Sequence, residues 1–259
     1  MNTSVHDMDL FIDSSNLYEE KYDLIISINM LDDVLNAIYD DELNTVRHNK
    51  NKNRYIQRLN IVNNDIELVE DRILNIFGHV SHLNLEFQGL KRIDSLRLLT
   101  NLINLNLSHN RIICIEPLSS LIYLIHLQLE HNLIYDINPL RYLRELIHIN
   151  LSSNRFDDID IICNLNKLTH IDISYNMISR IDSLIGLQNV IVLDIKCNNI
   201  SSINELINFN KLSYLDISYN YISNILPICK LKKLSKLNYK NNQINDHGQF
   251  KHVHRLLKK

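Results

Sequence analysis

The chain has 259 residues, of which 45% are hydrophobic and 22% are charged, and its formal net charge is −3. This composition is typical of a globular chain with a sizeable core, and it excludes intrinsic disorder over most of the length. Four glycines and three prolines exclude collagen-like, glycine-linker and proline-rich chains. Because the charge is close to neutral, it gives no general attraction to nucleic acid or to membranes, and neither is expected as a partner.

The N-terminal segment is acidic. Residues 1–45 hold eleven acidic residues and one lysine, and they begin without the pattern of a secretory signal. We predict an acidic N-terminal cap over 1–57. Two interpretations of 23–57 stay open: a degenerate repeat whose first apolar residue is Leu24, or a capping helix with Leu31 on its apolar face.

A block with a clearer pattern follows at 58–81. Leu59, Ile61 and Asn64 stand at the same relative positions as the apolar and asparagine residues of the blocks downstream. This block is two residues longer than those blocks, so we interpret it as a divergent 24-residue repeat.

Residues 82–257 divide without insertion into eight blocks of 22 residues. Positions 2, 4, 9, 12, 15, 18 and 21 of a block are almost always Leu, Ile, Val or Phe. Position 7 is asparagine in seven of the eight blocks: Asn110, Asn132, Asn154, Asn176, Asn198, Asn220 and Asn242. A fixed period of this length predicts a repeat architecture, because one block cannot bury seven apolar side chains alone and blocks must stack.

The core pattern LxLxxNxI resembles the leucine-rich repeats, in the 22-residue class found in a phosphatase-regulatory subunit and in bacterial internalins. The resemblance implies an α/β solenoid, a horseshoe with a parallel β-sheet on its concave face and short helical turns or extended coil on its convex face. It also implies binding of another protein through the concave sheet, without enzymatic activity. Members of the family share a scaffold rather than a chemistry, so the resemblance is more specific for fold than for function.

The alternation within each block agrees with this fold. Positions 1 to 5 alternate polar and apolar, as a half-buried strand does. The asparagine at position 7 follows the strand, where its amide can both donate to and accept from turn backbone groups. We therefore predict a structural asparagine ladder through the stacked blocks.

Polar side chains at the outward positions are the candidate binding residues. Consecutive parallel strands lie about 4.8 Å apart, so equivalent residues should form columns. Further aromatic and charged residues flank these columns, as protein interfaces favour. The predicted protein-binding residues are Asp172, Asp194, Asp216, Tyr175, Tyr214, Tyr219, Lys196, His126, His148 and His170. The aspartates predict contact with a basic segment of the partner.

The histidines allow more than one interpretation. A pH-sensitive contact surface and a polar surface that merely tolerates histidine stay open. A metal site is disfavoured because three parallel imidazoles do not converge and no carboxylate lies between them. Phosphate-cradling loops and the common hydrolase motifs are missing from the sequence. We therefore expect no catalytic residue, no cofactor and no metal.

The C-terminal end is basic. Residues 230–259 hold nine lysines or arginines and one aspartate, and the last block departs from the pattern, as a terminal cap must. We expect the last repeat to act as a C-terminal cap, followed by a short basic tail at 258–259, in a monomeric protein.

Two other functions are possible interpretations of the sequence. Segment 30–46 is faintly similar to the start of an F-box, which would make the protein a substrate adaptor of a ubiquitin ligase. The internalin resemblance suggests a cell-surface adhesin, which the missing signal opposes. The expected location is cytoplasmic. The richness in Ile, Asn, Lys and Tyr suggests an A+T-rich genome, and the host-cell cytoplasm if that genome is viral.

Overall fold

A computed structural model describes residues 22–27, 56–62, 79–246 and 248–257. Within these residues ten parallel strands form one open sheet, in which the strand order follows the chain. The strands are β1 (Tyr22–Ser27), β2 (Ile56–Val62), β3 (His82–Asn84), β4 (Asn104–Asn106), β5 (His126–Gln128), β6 (His148–Asn150), β7 (His170–Asp172), β8 (Val192–Asp194), β9 (Tyr214–Asp216) and β10 (Lys236–Asn238). The topology confirms the predicted solenoid.

The first two strands lie upstream of the regular blocks. β1 pairs with β2 so that Leu24 lies opposite Leu59, and β2 pairs in turn with β3. Most of 1–57 and 58–81, and the tail at 258–259, lie outside the described residues. The domain boundaries and the choice between a repeat and a helical cap at 23–57 therefore stay predictions, as does the interpretation of 30–46.

From β3 onward every coil follows the same path. Positions 1 to 3 form the strand, the chain turns, and positions 13 to 17 form one turn of 3-10 helix on the convex side. These turns are Asp94–Leu98, Glu116–Ser120, Asn138–Tyr142, Asp160–Asn164, Asp182–Gly186, Asn204–Asn208 and Leu226–Lys230. All three prolines are the second residue of such a turn, where the missing N–H has no intrahelical acceptor to lose.

The seven apolar positions of the coils build one continuous core. Leu105, Leu107 and Ile112, for example, are 0–2% exposed. The strand alternation decides this burial, because residues two apart on a strand point to the same face. The outward positions 1, 3 and 5 are thereby left on the concave surface, in columns that run across the strands.

A helix closes the C-terminal end. Helix α1 (Gly248–Leu257) places Val253 fully inside the core. The ring of Phe250 stacks on Tyr239 of the last coil with centroids 5.7 Å apart. The side chain of Gln249 accepts a hydrogen bond of 2.8 Å from the backbone N–H of Ile225. α1 thus covers the last apolar coil with a more polar outer surface.

Candidate functional site

The concave face carries a shallow groove of about 290 Å³ across strands β5 to β9. It is lined by most of the predicted binding residues of positions 1 and 3. The groove residues are His126, Leu127, Gln128, His148, Ile149, Asn150, His170, Ile171, Asp172, Val192, Asp194 and Tyr214. The structure therefore brings the histidine column and two of the three predicted aspartates into one open surface.

The histidine column occupies one side of this groove. His126 pairs with His148, and His148 with His170, in the sheet register. Their rings meet edge to face, with centroids 4.4 and 4.2 Å apart. Burial lowers the pKa of His126 and of His148, and the charge of the neighbouring His170 adds to the effect. The lowered pKa values favour the neutral form of His126 and His148 near pH 7.

The aspartate column lies on the next strands. Asp172, Asp194 and Asp216 are in direct register on β7, β8 and β9. Each Oδ1 accepts a hydrogen bond of 2.9–3.1 Å from the backbone N–H two residues later, at Ser174, Lys196 or Ser218. The equivalent asparagines elsewhere make the same bond, so the turn requires an acceptor oxygen but no charge.

These carboxylates are less exposed than their sequence pattern predicts. Asp194 is only 8% exposed and Asp216 only 5%, whereas Asp172 makes the same capping bond and is not buried. The capping bond alone therefore does not bury these side chains, and Asn238 of the following coil donates a further hydrogen bond of 2.9 Å to the Oδ2 of Asp216. Burial raises the pKa of Asp194 to about 6, and the charges of Asp172 and Asp216 act in the same direction. The Lys196 backbone hydrogen bond and the Lys196 ammonium oppose the rise.

Lys196 and the three predicted tyrosines lie in different environments around the aspartates. The Lys196 Nζ lies 3.6 Å from the Oδ2 of Asp194 and 5.3 Å from the ring centroid of Tyr175. Tyr214 is half-buried in the groove, where burial followed by the charges of Asp194 and Asp216 raises its pKa. Tyr175 and Tyr219 stand on the rim rather than on the strands, and both are more than half exposed.

The rim of the concave face carries a row of residues of which the sequence pattern predicted only Tyr175 and Tyr219 as binding residues. The residue at position 6 of each of the eight coils has a backbone φ between 51° and 58°. This is the left-handed region, which residues other than glycine rarely adopt. We call these residues the rim row: Phe87, His109, His131, Ser153, Tyr175, Cys197, Tyr219 and Asn241. The signal that could have found them is their fixed place immediately before the position 7 asparagine.

The asparagines join adjacent coils behind the rim. The Asn132 amide donates to the carbonyl oxygens of Leu107, Leu129 and Glu130 at 2.9–3.4 Å, and its Oδ1 accepts from the N–H of Ile112. The bonds to Leu107 and Ile112 reach into the preceding coil. Asn176 departs from this scheme, since its Oδ1 has no hydrogen-bond partner among the described residues.

Within the described residues no group of three or more histidines, cysteines or acids could hold a metal ion. All four cysteines are free thiols. In the same part of the chain, no helix has the length and apolar character that crossing a membrane requires.

Solved structures with the same architecture are similar to this chain. Internalin InlF of Listeria monocytogenes superposes with a TM-score of 0.72 at 24% identity, over 77% of this chain and 66% of that one. Internalin C2 of the same species gives a TM-score of 0.65 at 28% identity, over 71% of this chain and 80% of its own.

A plant receptor kinase has a related ectodomain. The leucine-rich-repeat ectodomain of GASSHO1/SCHENGEN3 from Arabidopsis thaliana, solved in complex with Casparian strip integrity factor 2, has a TM-score of 0.58 at 21% identity. The match covers 73% of this chain and 27% of that one. No protein-family model matches the sequence, and no curated protein matches it. The 22-residue coils, the parallel sheet and the likeness to these structures together make the chain a leucine-rich-repeat protein.

Proposed function

We propose that this protein is a non-enzymatic scaffold that holds a partner protein on its concave sheet. The observation that carries this proposal is the in-register aspartate column of Asp172, Asp194 and Asp216, of which the first two line the groove. The likeness to a receptor ectodomain solved with Casparian strip integrity factor 2 supports binding through this fold in general.

The charges of the column indicate the kind of partner segment. Like charges directly across parallel strands cost a few tenths to about 1 kcal/mol per pair. Asparagine would satisfy the same capping bond without that cost, as Asn106 and Asn150 do. Lys196 is the cation placed against the column, and its Nζ reaches only Asp194 at 3.6 Å. A basic segment of a partner would neutralise the remaining charge.

The internalin likeness supports a second candidate, a surface adhesin that uses the same face. Free thiols at all four cysteines are typical of a reducing compartment, and they favour the cytoplasmic scaffold. Labelling of intact cells with a membrane-impermeant reagent distinguishes the two, because only the adhesin would be labelled.

The test removes the three negative charges of the aspartate column. Asp172, Asp194 and Asp216 are changed together to asparagine, and binding is measured by calorimetry with a lysine- and arginine-rich peptide and by affinity capture from the native cell with mass spectrometry. We expect folding at least as stable as in the wild type and at least 10-fold weaker binding. Three screened but partly buried charge pairs would account for such a loss.

A matched control removes three charges elsewhere. Asp157, Asp158 and Asp160 are exposed and lie beyond the turn of one coil, away from the strands. Their combined change to asparagine alters the net charge equally, so binding should stay within 2-fold of the wild type. Equal binding by the column variant and the wild type, with both folded, would contradict the proposal. Equal losses in both variants would show a non-specific charge effect and would also contradict it.

A further inference from the structure

The rim row gives its side chains a common direction. The N–H of each member from Phe87 to Tyr219 donates to the carbonyl oxygen at position 5 of the following coil, at 2.9–3.1 Å. The backbone φ is the same along the row within a few degrees. Side chains that leave equivalent backbones in register must therefore stand one above another, at the coil spacing.

Where consecutive members carry rings, the rings stack. Phe87 and His109 are 4.2 Å apart between centroids at an interplanar angle of 11°, and His109 and His131 are 4.4 Å apart at 18°. The stack stops at Ser153, which has no ring, and the next ring belongs to Tyr175. Two strand spacings, roughly 9.5 Å, therefore separate the ring of His131 from that of Tyr175. This separation accommodates one planar group at stacking distance from both.

The Lys196 side chain already occupies the equivalent space above Cys197. The Lys196 ammonium lies 5.3 Å from the centroid of the Tyr175 ring. Because Lys196 belongs to the following coil, it approaches the ring from the side of Cys197. The opposite face of Tyr175, toward Ser153, is the one available to a binding partner, and Tyr175 is 51% exposed.

The charges of the concave face disfavour a nucleic acid as the occupant of this space. A phosphate backbone would have to run beside the aspartate column, which would repel it. A planar group carried by a protein therefore fits the space better than a base carried by a nucleic acid.

We propose that an aromatic side chain of the partner protein inserts above Ser153, between the rings of His131 and Tyr175, and completes the rim stack. This inference rests on the proposed function and adds a second recognition element to it. The space lies three residues along the strand and one to three coils away from the aspartates, roughly 11–17 Å in all. An extended partner segment should thus carry its aromatic residue about three to five positions from its basic residues.

The test compares two blocked synthetic peptides, Trp-Ser-Gly-Lys-Arg-Lys and the same peptide with leucine in place of tryptophan. Calorimetry gives both affinities. The protein contains no tryptophan, so the indole emission reports on the peptide alone. One added stacking contact corresponds to a preference of about 2-fold to 10-fold for the tryptophan peptide.

The substitution Ser153→Tyr places a ring of the protein itself in the space between His131 and Tyr175. The variant should fold, because tyrosine already occupies the same left-handed position at Tyr175 and Tyr219. It should abolish the preference for the tryptophan peptide while leaving the affinity of the leucine peptide unchanged. Ser153→Ala, the matched control, should retain the preference.

The outcomes separate this inference from the proposed function. Equal wild-type affinities for the two peptides, or a preference that survives in Ser153→Tyr, would overturn the aromatic site while leaving the basic contact in place. If neither peptide binds, the proposed basic contact fails and N-acetyltryptophanamide decides the aromatic site. Saturable shifts of the His131 and Tyr175 ring resonances, lost in Ser153→Tyr, would then support it. Their absence in the wild type would overturn it.

Discussion

One asparagine in each coil connects that coil to the coil before it. The Asn154 amide donates to the carbonyl oxygens of Leu129, Leu151 and Ser152, and its Oδ1 accepts a hydrogen bond of 3.0 Å from the N–H of Ile134. These hydrogen bonds are buried in the turn. Asn154 therefore stabilises the solenoid through hydrogen bonds to buried backbone groups rather than through packing of its side chain.

Asn154→Ala should lower the free energy of unfolding by about 1–3 kcal/mol, because it leaves the buried N–H of Ile134 unpaired and removes one of two hydrogen bonds at each of three carbonyl oxygens. Asn176→Ala should cost less, because the Oδ1 of Asn176 has no partner among the described residues and only its donor bonds are lost. Urea unfolding of the two variants and the wild type measures the difference. A loss at Asn176 equal to or larger than that at Asn154 would contradict this account of the ladder.

The carboxyl group of Asp194 makes stability depend on pH. Burial raises its pKa in the folded protein to about 6, above the value of 3.8 in an unfolded chain. A group of this kind stabilises the fold when protonated, and that contribution is lost as the pH rises through the folded-state pKa. Between pH 4 and pH 6 the folded state therefore binds more protons than the unfolded state at this residue.

Asp194→Asn removes this titration while keeping the capping oxygen. Relative to the variant, the wild type should gain stability as the pH falls from 7 to 5, and at pH 7 the variant should be more stable by a few tenths to about 1 kcal/mol. Paired urea titrations measure the difference and cancel the opposite effect of the histidines, whose lowered pKa values cost stability in acid. A difference that does not vary with pH would contradict the burial of this carboxylate.

The elements of the fold are too short to be stable alone. Each strand from β3 to β10 has three residues and each 3-10 turn has five. A three-residue strand gains its hydrogen bonds only from the coils beside it, so stability is a sum over coils and their interfaces. On the last described coil, α1 makes the contact that the next coil makes elsewhere.

Gln249→Ala tests this role of α1. Gln249 is 8% exposed and bonds the N–H of Ile225 and the carbonyl oxygen of Ser223. Its loss should cost about 1–3 kcal/mol and should accelerate amide hydrogen exchange at Ile225 in particular. Gln243→Ala is the control, since Gln243 is exposed and its replacement should change stability by no more than about 0.5 kcal/mol. Unchanged exchange at Ile225 would show that the helix does not seal the last coil.

At the scale of the whole molecule, the concave surface changes character along the solenoid. Its outward columns are histidine-rich from β5 to β7, acidic from β7 to β9, and basic at Lys236 and Lys240 around β10. The last strand is the edge of the described sheet. Lysine side chains on an edge strand oppose pairing with another chain, so the basic end protects the solenoid, while the acidic centre is the surface that we propose for partner binding.

Much of this architecture follows from the sequence alone. The 22-residue period predicts which side chains face inward. With strand alternation and coil stacking, a single arrangement of the coils buries all seven apolar positions. The same period places Asp172, Asp194 and Asp216 in one column and the three histidines in another. Their function as a binding site is a proposal that the register makes possible and that binding experiments must decide.

Contacts between coils decided the rest. The burial of Asp194 and Asp216, the unpaired oxygen of Asn176 and the interrupted stack above Ser153 each depend on side chains 20 or more residues away in sequence. A repeat pattern treats equivalent positions as identical, whereas packing responds to the actual neighbour in the next coil. The sequence by itself therefore determined the solenoid and its columns, and only the tertiary structure decided which members of a column are buried, paired or open to a partner.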